Sequence, residues 1–354
     1  MRVEAARTRL TARRALRGLS LVELMIGLVV GLLVSLAAVS SLRVFGSGQN
    51  QGTVGGGGLL SAVSAMGAIK NDVAAAGLGF FDGRQPLCDR LNLSVGPQAV
   101  ANGATFSPLL VTRALSNDQL DLVYGSDVSA GANVPLASPS NGATIENLST
   151  LPAAIGQAVM LAPAGIGLCT VRSVTAVTAG TPDMPQVLAF ATAGTHNQLA
   201  FNTPPAYAAQ ARATLLGTLR WHRYRVVDGN LVLERPLDGG TAVLVRNVIG
   251  FRVEYGVSDV GGSTLQAWQS AADAGWTTLD AARLSRVRAV RLGLVVRSPQ
   301  REKADVAGSC NASDTKPLLF GATIEPDVSD WRCFRYRSST IVVPLRNLVW
   351  GQAR

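Results

Sequence analysis

The chain has 354 residues, 32 basic and 23 acidic side chains and a formal net charge of +9. Six Arg and one Glu fall within residues 1–18; beyond them 26 basic side chains face 22 acidic ones, and a net +4 is too mild to argue for nucleic acid. Aromatics at 5% and 37 glycines suit strands and turns better than a helical bundle, and the length allows one large domain or two small ones beyond any anchor.

Residues 1–18 form a basic leader that stops at Gly18. From Leu24 to Leu42 come 19 uncharged residues. At about 1.5 Å per residue such a helix nearly crosses a bilayer core of about 30 Å. The arginine cluster before this run, with only Arg43 just after it, places the N-terminus in the cytoplasm and the rest outside. Glu23 is the odd residue, because an ionised acid in a membrane segment costs a few kcal/mol and usually has a partner. A cut after Gly18 would create one: the α-amine of Leu19, cationic near neutral pH, could meet Glu23 of its own chain or of a neighbour.

Gly18-Leu19-Ser20-Leu21-Val22-Glu23 resembles the class III signal of type IV pilins and type II secretion pseudopilins. The resemblance implies cleavage after Gly18 by a prepilin peptidase, N-methylation of Leu19, and a guiding role in filament packing for Glu23, fifth in the mature chain. Leu19 replaces the family's commonest first residue, phenylalanine. The family's proline after the apolar run is absent, and Ser40 stands near its place. Two other readings compete: a secretory signal peptide cut within Leu36-Ala37-Ala38-Val39-Ser40, and a plain uncleaved anchor. Neither explains why Gly18 and Glu23 flank the start of the apolar run.

The organisation expected is leader 1–18, transmembrane and assembly helix 19–45, glycine-rich break 46–58, and a globular domain 59–354, a short helix followed by strands. Each glycine costs a helix about 1 kcal/mol relative to alanine, so 46–58 interrupts the helix. Helical spacing returns from Leu59 to Ala76, with Leu60, Val63, Gly67 or Ala68, and Val73 or Ala74 on one face and Lys70, Asn71 and Asp72 opposite; Gly77 is the stop. From about residue 105 the pattern is β. Strands are predicted at Leu109–Thr112, Leu120–Tyr124, Ala158–Leu161, Cys169–Val177 and Val187–Ala191, with loops over Gly125–Pro152 and Ala193–Ala213. Asp228-Gly229 between two alternating runs predicts a hairpin with a two-residue turn. Ala242–Val245, Val248–Tyr255, Leu284–Arg297 and Thr340–Leu345 continue the strands, and the alternation of Leu284–Arg297 slips near Arg291, as at a bulge or strand end.

Cys88, Cys169, Cys310 and Cys333 show no C-x-x-C spacing, so zinc and thioredoxin-like chemistry are weak readings. An even number outside a membrane favours two disulfides over four buried thiols. Three connectivities are open; Cys310–Cys333 with Cys88–Cys169 is the expected one. No catalytic motif is present. His222 reads as a partly exposed strand residue and His196 as a loop residue. Asp327-Val328-Ser329-Asp330 lacks the Gly and Glu of a calcium loop and reads as a polar turn. Arg223, Arg225, Arg286, Arg288, Arg291 and Arg297 could form a basic patch for DNA or an acidic partner. Arginines at period two more often form a solvated face paired with acids across strands, and that reading is preferred.

Ala76-Gly77-Leu78-Gly79-Phe80-Phe81-Asp82-Gly83, the strand ending at Tyr255, Arg286-Val287-Arg288-Ala289-Val290-Arg291 and Pro344-Leu345-Arg346-Asn347 together resemble PilW-type minor pilins. The resemblance implies an α+β fold, a long N-terminal membrane-spanning helix packed on an antiparallel β-sheet domain. It implies a minor pilin, no enzyme, in a tip or priming complex that initiates the filament and supports adhesion and twitching motility. The implied partners are other minor and major pilins, the prepilin peptidase and the inner membrane, with a tip adhesin permitted and no cofactor, metal or small-molecule substrate. The location implied is the inner membrane before assembly, with the C-terminal domain in the periplasm, and the pilus after it. A minor pseudopilin of type II secretion shares signal and fold; an anchored periplasmic binding protein or enzyme is the reading from another class.

Overall fold

The computed structural model describes residues 61–83, 85–114 and 117–349, with Met25, Leu32 and Ser35. Gly18, Leu19, Glu23, nearly all of the predicted membrane helix and the stretch 46–58 lie outside the described residues. Met25, Leu32 and Ser35 are helical and exposed. Among the described residues no helix is long and apolar enough to cross a membrane. The chain divides into two compact units, Met1–Gly55 and Gly56–Arg354, and the second carries the described strands.

Helix α1 covers residues 61–75. Its buried stripe is Ala62, Ala65, Met66, Ile69, Val73 and, just past its end, Ala76. This corrects the expected face: Val63 is 59% exposed, and Asp72 turns inward. The steps of three and four from Ala62 to Ala76 define one stripe, and Asp72 lies on it, seven residues after Ala65. The helix stops as predicted. Gly77 takes φ +75°, the left-handed conformation that closes helices, and a Cβ there would strike the Phe81 ring.

Strands β1 (Phe81–Asp82) and β2 (Gln85–Pro86) pair, and β3 (Cys88–Val95) returns antiparallel as β4 (Gln98–Thr105). Thus β structure begins before residue 105. Strands β5 (Leu109–Ala114) and β6 (Asn117–Gly125) form a second hairpin, and β7 (Asn133–Pro135) and β8 (Thr144–Asn147) interrupt the expected loop. Then come β9 (Ala158–Ala162), β10 (Gly167–Ser173), β11 (Ala176–Thr178), β12 (Gln186–Ala189) and β13 (Arg212–Gly217). The long hairpin is β14 (Leu219–Val227) with β15 (Asn230–Arg235), turned by Asp228 and Gly229 at φ +47° and +69°, as two-residue hairpin loops require. Strands β16 (Gly240–Val245), β17 (Val248–Val257) and β18 (Ala267–Ser270) precede the short helix α2 (Ala281–Leu284). Strands β19 (Val287–Arg297), β20 (Leu318–Leu319), β21 (Ala322–Thr323) and β22 (Tyr336–Pro344), then helix α3 (Arg346–Val349), complete the described chain.

Three larger sheets result. The first runs β4-β3-β10-β9-β13-β7, the second β16-β15-β14-β6-β5 and the third β18-β17-β19-β22. A small sheet, β11-β12-β8, and the β20-β21 hairpin are separate. The first sheet is mixed, because β3 and β10 run parallel, a correction to the purely antiparallel expectation. The other two are antiparallel throughout.

Helix α1 packs between the second and third sheets, its stripe joining Leu109, Leu120 and Tyr224 of one to Phe251, Val253, Leu292 and Val343 of the other in one core. Burying an Ile, Met or Val side chain contributes about 1.5–3 kcal/mol, so α1 is held mainly by this stripe. Backbone N–H groups of Phe251 and Val253 donate to Asn117 Oδ1 and the Asp118 carboxylate, and Val111 N–H donates to Tyr255 Oη, stapling β17 to the β5–β6 hairpin.

Strand β19 does not break at Arg291. It runs through to Arg297, and its register shifts lie near its two ends. The alternation fails because both faces are covered: Leu292 and Leu294 face the main core, while Leu319 and Phe320 cap Gly293 so closely that a Cβ there would clash.

Candidate functional site

The N-terminal signal lies outside the described residues, so the most informative described site is where α1 meets the second sheet. Strand β6 presents Tyr124, and β14 presents His222 and Tyr224, two residues apart on one face. All three converge on Asp72. Tyr124 Oη donates to Oδ1 at 2.8 Å, Tyr224 Oη to Oδ2 at 2.5 Å, and His222 Nδ1 lies 2.5 Å from Oδ2. A carboxylate only accepts, so the imidazole N–H donates. Burial alone would raise the Asp72 carboxyl. The hydrogen bonds from His222, Tyr224 and Tyr124 outweigh it and hold the group below the usual carboxylate value. Burial, then the Asp72 charge, pushes both tyrosine hydroxyls well above their ordinary value.

This network holds α1 in place. Sequence reasoning put Asp72 on the solvent face and His222 in isolation. The missed signal was spacing: Ala65, Ile69, Asp72 and Ala76 follow steps of four, three and four along one stripe. Asn347 was quoted only as part of a motif. Its amide donates to the carbonyls of Ala75 and Ala76 at 3.0 and 3.2 Å, so the end of the chain satisfies groups that the end of α1 leaves open.

The six arginines singled out in the sequence are each engaged. Arg223 bonds Asp121 directly across from it on β6, and Arg225 bonds Glu234 of β15. Arg291 pairs with Glu254, its cross-strand neighbour, and its guanidinium lies over the rings of Trp268 and Phe320 at 4.8 and 4.3 Å. Arg297 bonds Asp327 at 2.6 Å and stacks on Phe334. Arg286 donates to the Ser258 carbonyl and covers Trp276; Arg288, 5% exposed, donates to the carbonyls of Ser285, Val287 and Gly262. Paired and stacked guanidiniums are a poor phosphate surface. Asp330 is bound to Arg301, so both ends of the Asp327–Asp330 turn are occupied by arginine.

His196 is half-buried in its loop, with Nδ1 2.6 Å from the Ser94 carbonyl, and burial pushes it below its usual value. Cys88 is joined to Cys169, and Cys310 to Cys333. The first bond ties the parallel neighbours β3 and β10; the second closes a loop just before β22. A cleft of about 560 Å³ lies between the β3–β4 and β15–β16 turns, lined by Val95, Val100, Trp221, Arg223, Leu237 and Asp238 among others. Its Trp221 and Arg223 are both bonded to Asp121.

Residues 209–347 match the family of PilW, type IV pilus-assembly protein W. No curated protein sequence matches the chain. Among solved structures, a type IV-like pilin from Thermus thermophilus aligns at 10% identity over 81% of this chain and 96% of that chain, with a TM-score of 0.33, too distant a likeness to argue from. The matched segment begins just before β13 and ends at Asn347, the residue that caps α1, so it takes in the arginine-bearing strands and the C-terminal motif discussed above. Over residues 209–347 the chain is therefore similar to the type IV pilus-assembly protein W family.

Proposed function

We propose that this protein is a minor pilin of a type IV pilus, inserted in the inner membrane through residues 19–45 and cut after Gly18 by a prepilin peptidase. The new α-amine of Leu19, N-methylated, pairs with Glu23 of a neighbouring subunit. An acid unpaired in lipid is costly, and relief by the next subunit's chain end favours ordered stacking. The mature protein then joins other minor and major pilins in a tip or priming complex that starts the filament, supporting adhesion and twitching motility, with its β domain in the periplasm until assembly carries it to the surface. The observation that carries this reading is the PilW match over residues 209–347 in a chain that opens with a basic leader, Gly18, Glu23 and an uninterrupted apolar run.

The test is mass spectrometry of the mature N-terminus from cells. N-methyl-Leu19 is the expected species; a start near Val39 or at Met1 would sink the proposal. Glu23→Ala should leave membrane insertion intact and reduce surface filaments at least tenfold.

A further inference from the structure

Every larger sheet ends in a strand with unpaired backbone, and such edges invite pairing unless shortened, bulged or covered. Most edges here are defended in one of these ways. The β3–β4 pairing, at one edge of the first sheet, carries two register shifts, and β7 at the opposite edge has three residues. The β15–β16 pairing carries one shift. Strand β5 is covered where Val111 N–H meets Tyr255 Oη, and β18 is four residues long.

Strand β22 has none of these defences. It pairs with β19 through nine consecutive residue pairs without a shift, and among the described residues no strand lies beyond it. Leu345 N–H bonds the Arg288 carbonyl, and the Arg335 carbonyl accepts from Ser298 N–H. The alternation of an antiparallel ladder therefore turns odd-numbered residues toward β19 and even-numbered ones outward. The backbone N–H and C=O groups of Ser338, Thr340 and Val342 face away from the sheet, with no hydrogen bond to any described residue. The Val342 side chain is 55% exposed, as is that of Leu318 on the adjoining hairpin. Pro344, without an N–H, ends the open row.

Charge defines the occupant further. From Arg332 to Arg346 the chain carries four arginines and no carboxylate, and among the described residues only Arg335 of these has an acidic partner, Glu302. Arg337 and Arg346 bracket the open row, both exposed.

We propose that β22 is a docking edge for an extended strand of a different pilus subunit, a short uncharged apolar segment flanked by acidic residues. That strand would add to the third sheet by backbone hydrogen bonds, its carboxylates meeting Arg337 and Arg346, its apolar side chains lying beside Val342 and Leu318. The proposal rests on the pilus-subunit reading for the source of its partner.

The test uses the full chain in piliated cells. Thr340→Pro removes one outward N–H at an edge position where proline is tolerated, and Val342→Lys places a charge in the row. Thermal melting of the purified variants should match the parent, while surface filaments fall at least tenfold. A photo-crosslinker at position 340 should give an adduct with another pilus subunit, mapped by mass spectrometry to a segment bearing acidic residues. Normal filament counts in folded Thr340→Pro protein, or adducts only to a second copy of this chain, would overturn the docking edge. Glu23→Ala, run in parallel, separates the two ideas. Its failure to affect filaments sinks the pilin reading; loss of filaments there, with none in Thr340→Pro, sinks only the edge.

Discussion

The first sheet and the pair formed by the second and third sheets are built on opposite plans. The first sheet draws β3, β9, β10 and β13 from residues 88 to 217, sets two of them parallel, and buries side chains on both faces, so that β9 is buried at every position. The other two sheets rest more on chain neighbours, in the β5–β6 hairpin, the β14–β15–β16 meander and the β17–β18 pair, with β6–β14, β17–β19 and β19–β22 as their longer-range joins. Those sheets share α1 as filler and expose arginine–carboxylate pairs on their outer faces. A sheet assembled from distant segments meets a larger loop-closure cost before its contacts form. It is therefore the region that gains most from a covalent tie, and the Cys88–Cys169 bond spans 81 residues there, against 23 for Cys310–Cys333.

The sharpest way to break the comparison is to remove each bond in turn. In the chain-entropy picture, Cys88→Ala with Cys169→Ala costs about 4.5 kcal/mol and Cys310→Ala with Cys333→Ala about 3.5 kcal/mol. Urea unfolding of the two double variants should rank them in that order. In the first, protease nicking should concentrate in residues 88–217; in the second, around residues 311–332. Equal losses, or nicking in the opposite regions, would show that the two sheet systems unfold as one unit.

The same difference governs how much could be read beforehand. The Asp228-Gly229 hairpin and strands β16, β17 and β22 were legible because chain neighbours pair and local turn chemistry marks them. Strands β3, β4 and β13 were not, because Asn92, Ser94, Asn102 and Thr214 break their apolar patterns. Asn92 is fully buried yet hydrogen-bonded to the Thr203 carbonyl and the Gly103 N–H, partners that only the fold brings near. Likewise the buried Asn147 donates to Gln186 Oε1 inside the small sheet. The arginine pairing was readable as a type of contact, whereas Asp72 was not, since its three donors arrive from residues 124, 222 and 224.

Removing that acceptor should produce the next largest effect. Asp72→Ala leaves two tyrosine hydroxyls and an imidazole without their acceptor, costing about 3 kcal/mol. Asp72→Asn keeps one acceptor and should cost less. The pH dependence distinguishes charge from packing. Because the folded carboxyl sits below its unfolded value of 3.8, its contribution is fully present above that value and is lost as pH falls through the folded one. Urea midpoints at pH 7, 4 and 2.5 should therefore drop more steeply at the acid end for the parent than for Asp72→Asn. Parallel curves would mean that the carboxylate charge contributes nothing to holding α1.

The smallest effect tests the outer face of the third sheet. Arg291 is sandwiched between Trp268 and Phe320 while bonded to Glu254. Lysine can keep a charge near Glu254, but its ammonium has no plane to lay against either ring. A cation–π contact contributes about 0.5–1 kcal/mol at such partly exposed sites. Arg291→Lys should then cost about 1 kcal/mol, and Arg291→Met, which restores apolar contact without charge, should cost about the same because Glu254 loses its partner. Adding Glu254→Gln to Arg291→Met should recover part of that loss, while adding it to Arg291→Lys should not. If the recovery is equal in both backgrounds, the rings rather than the ion pair hold this face together, and the arginine-bearing strands owe their stability to stacking as much as to their cross-strand acids.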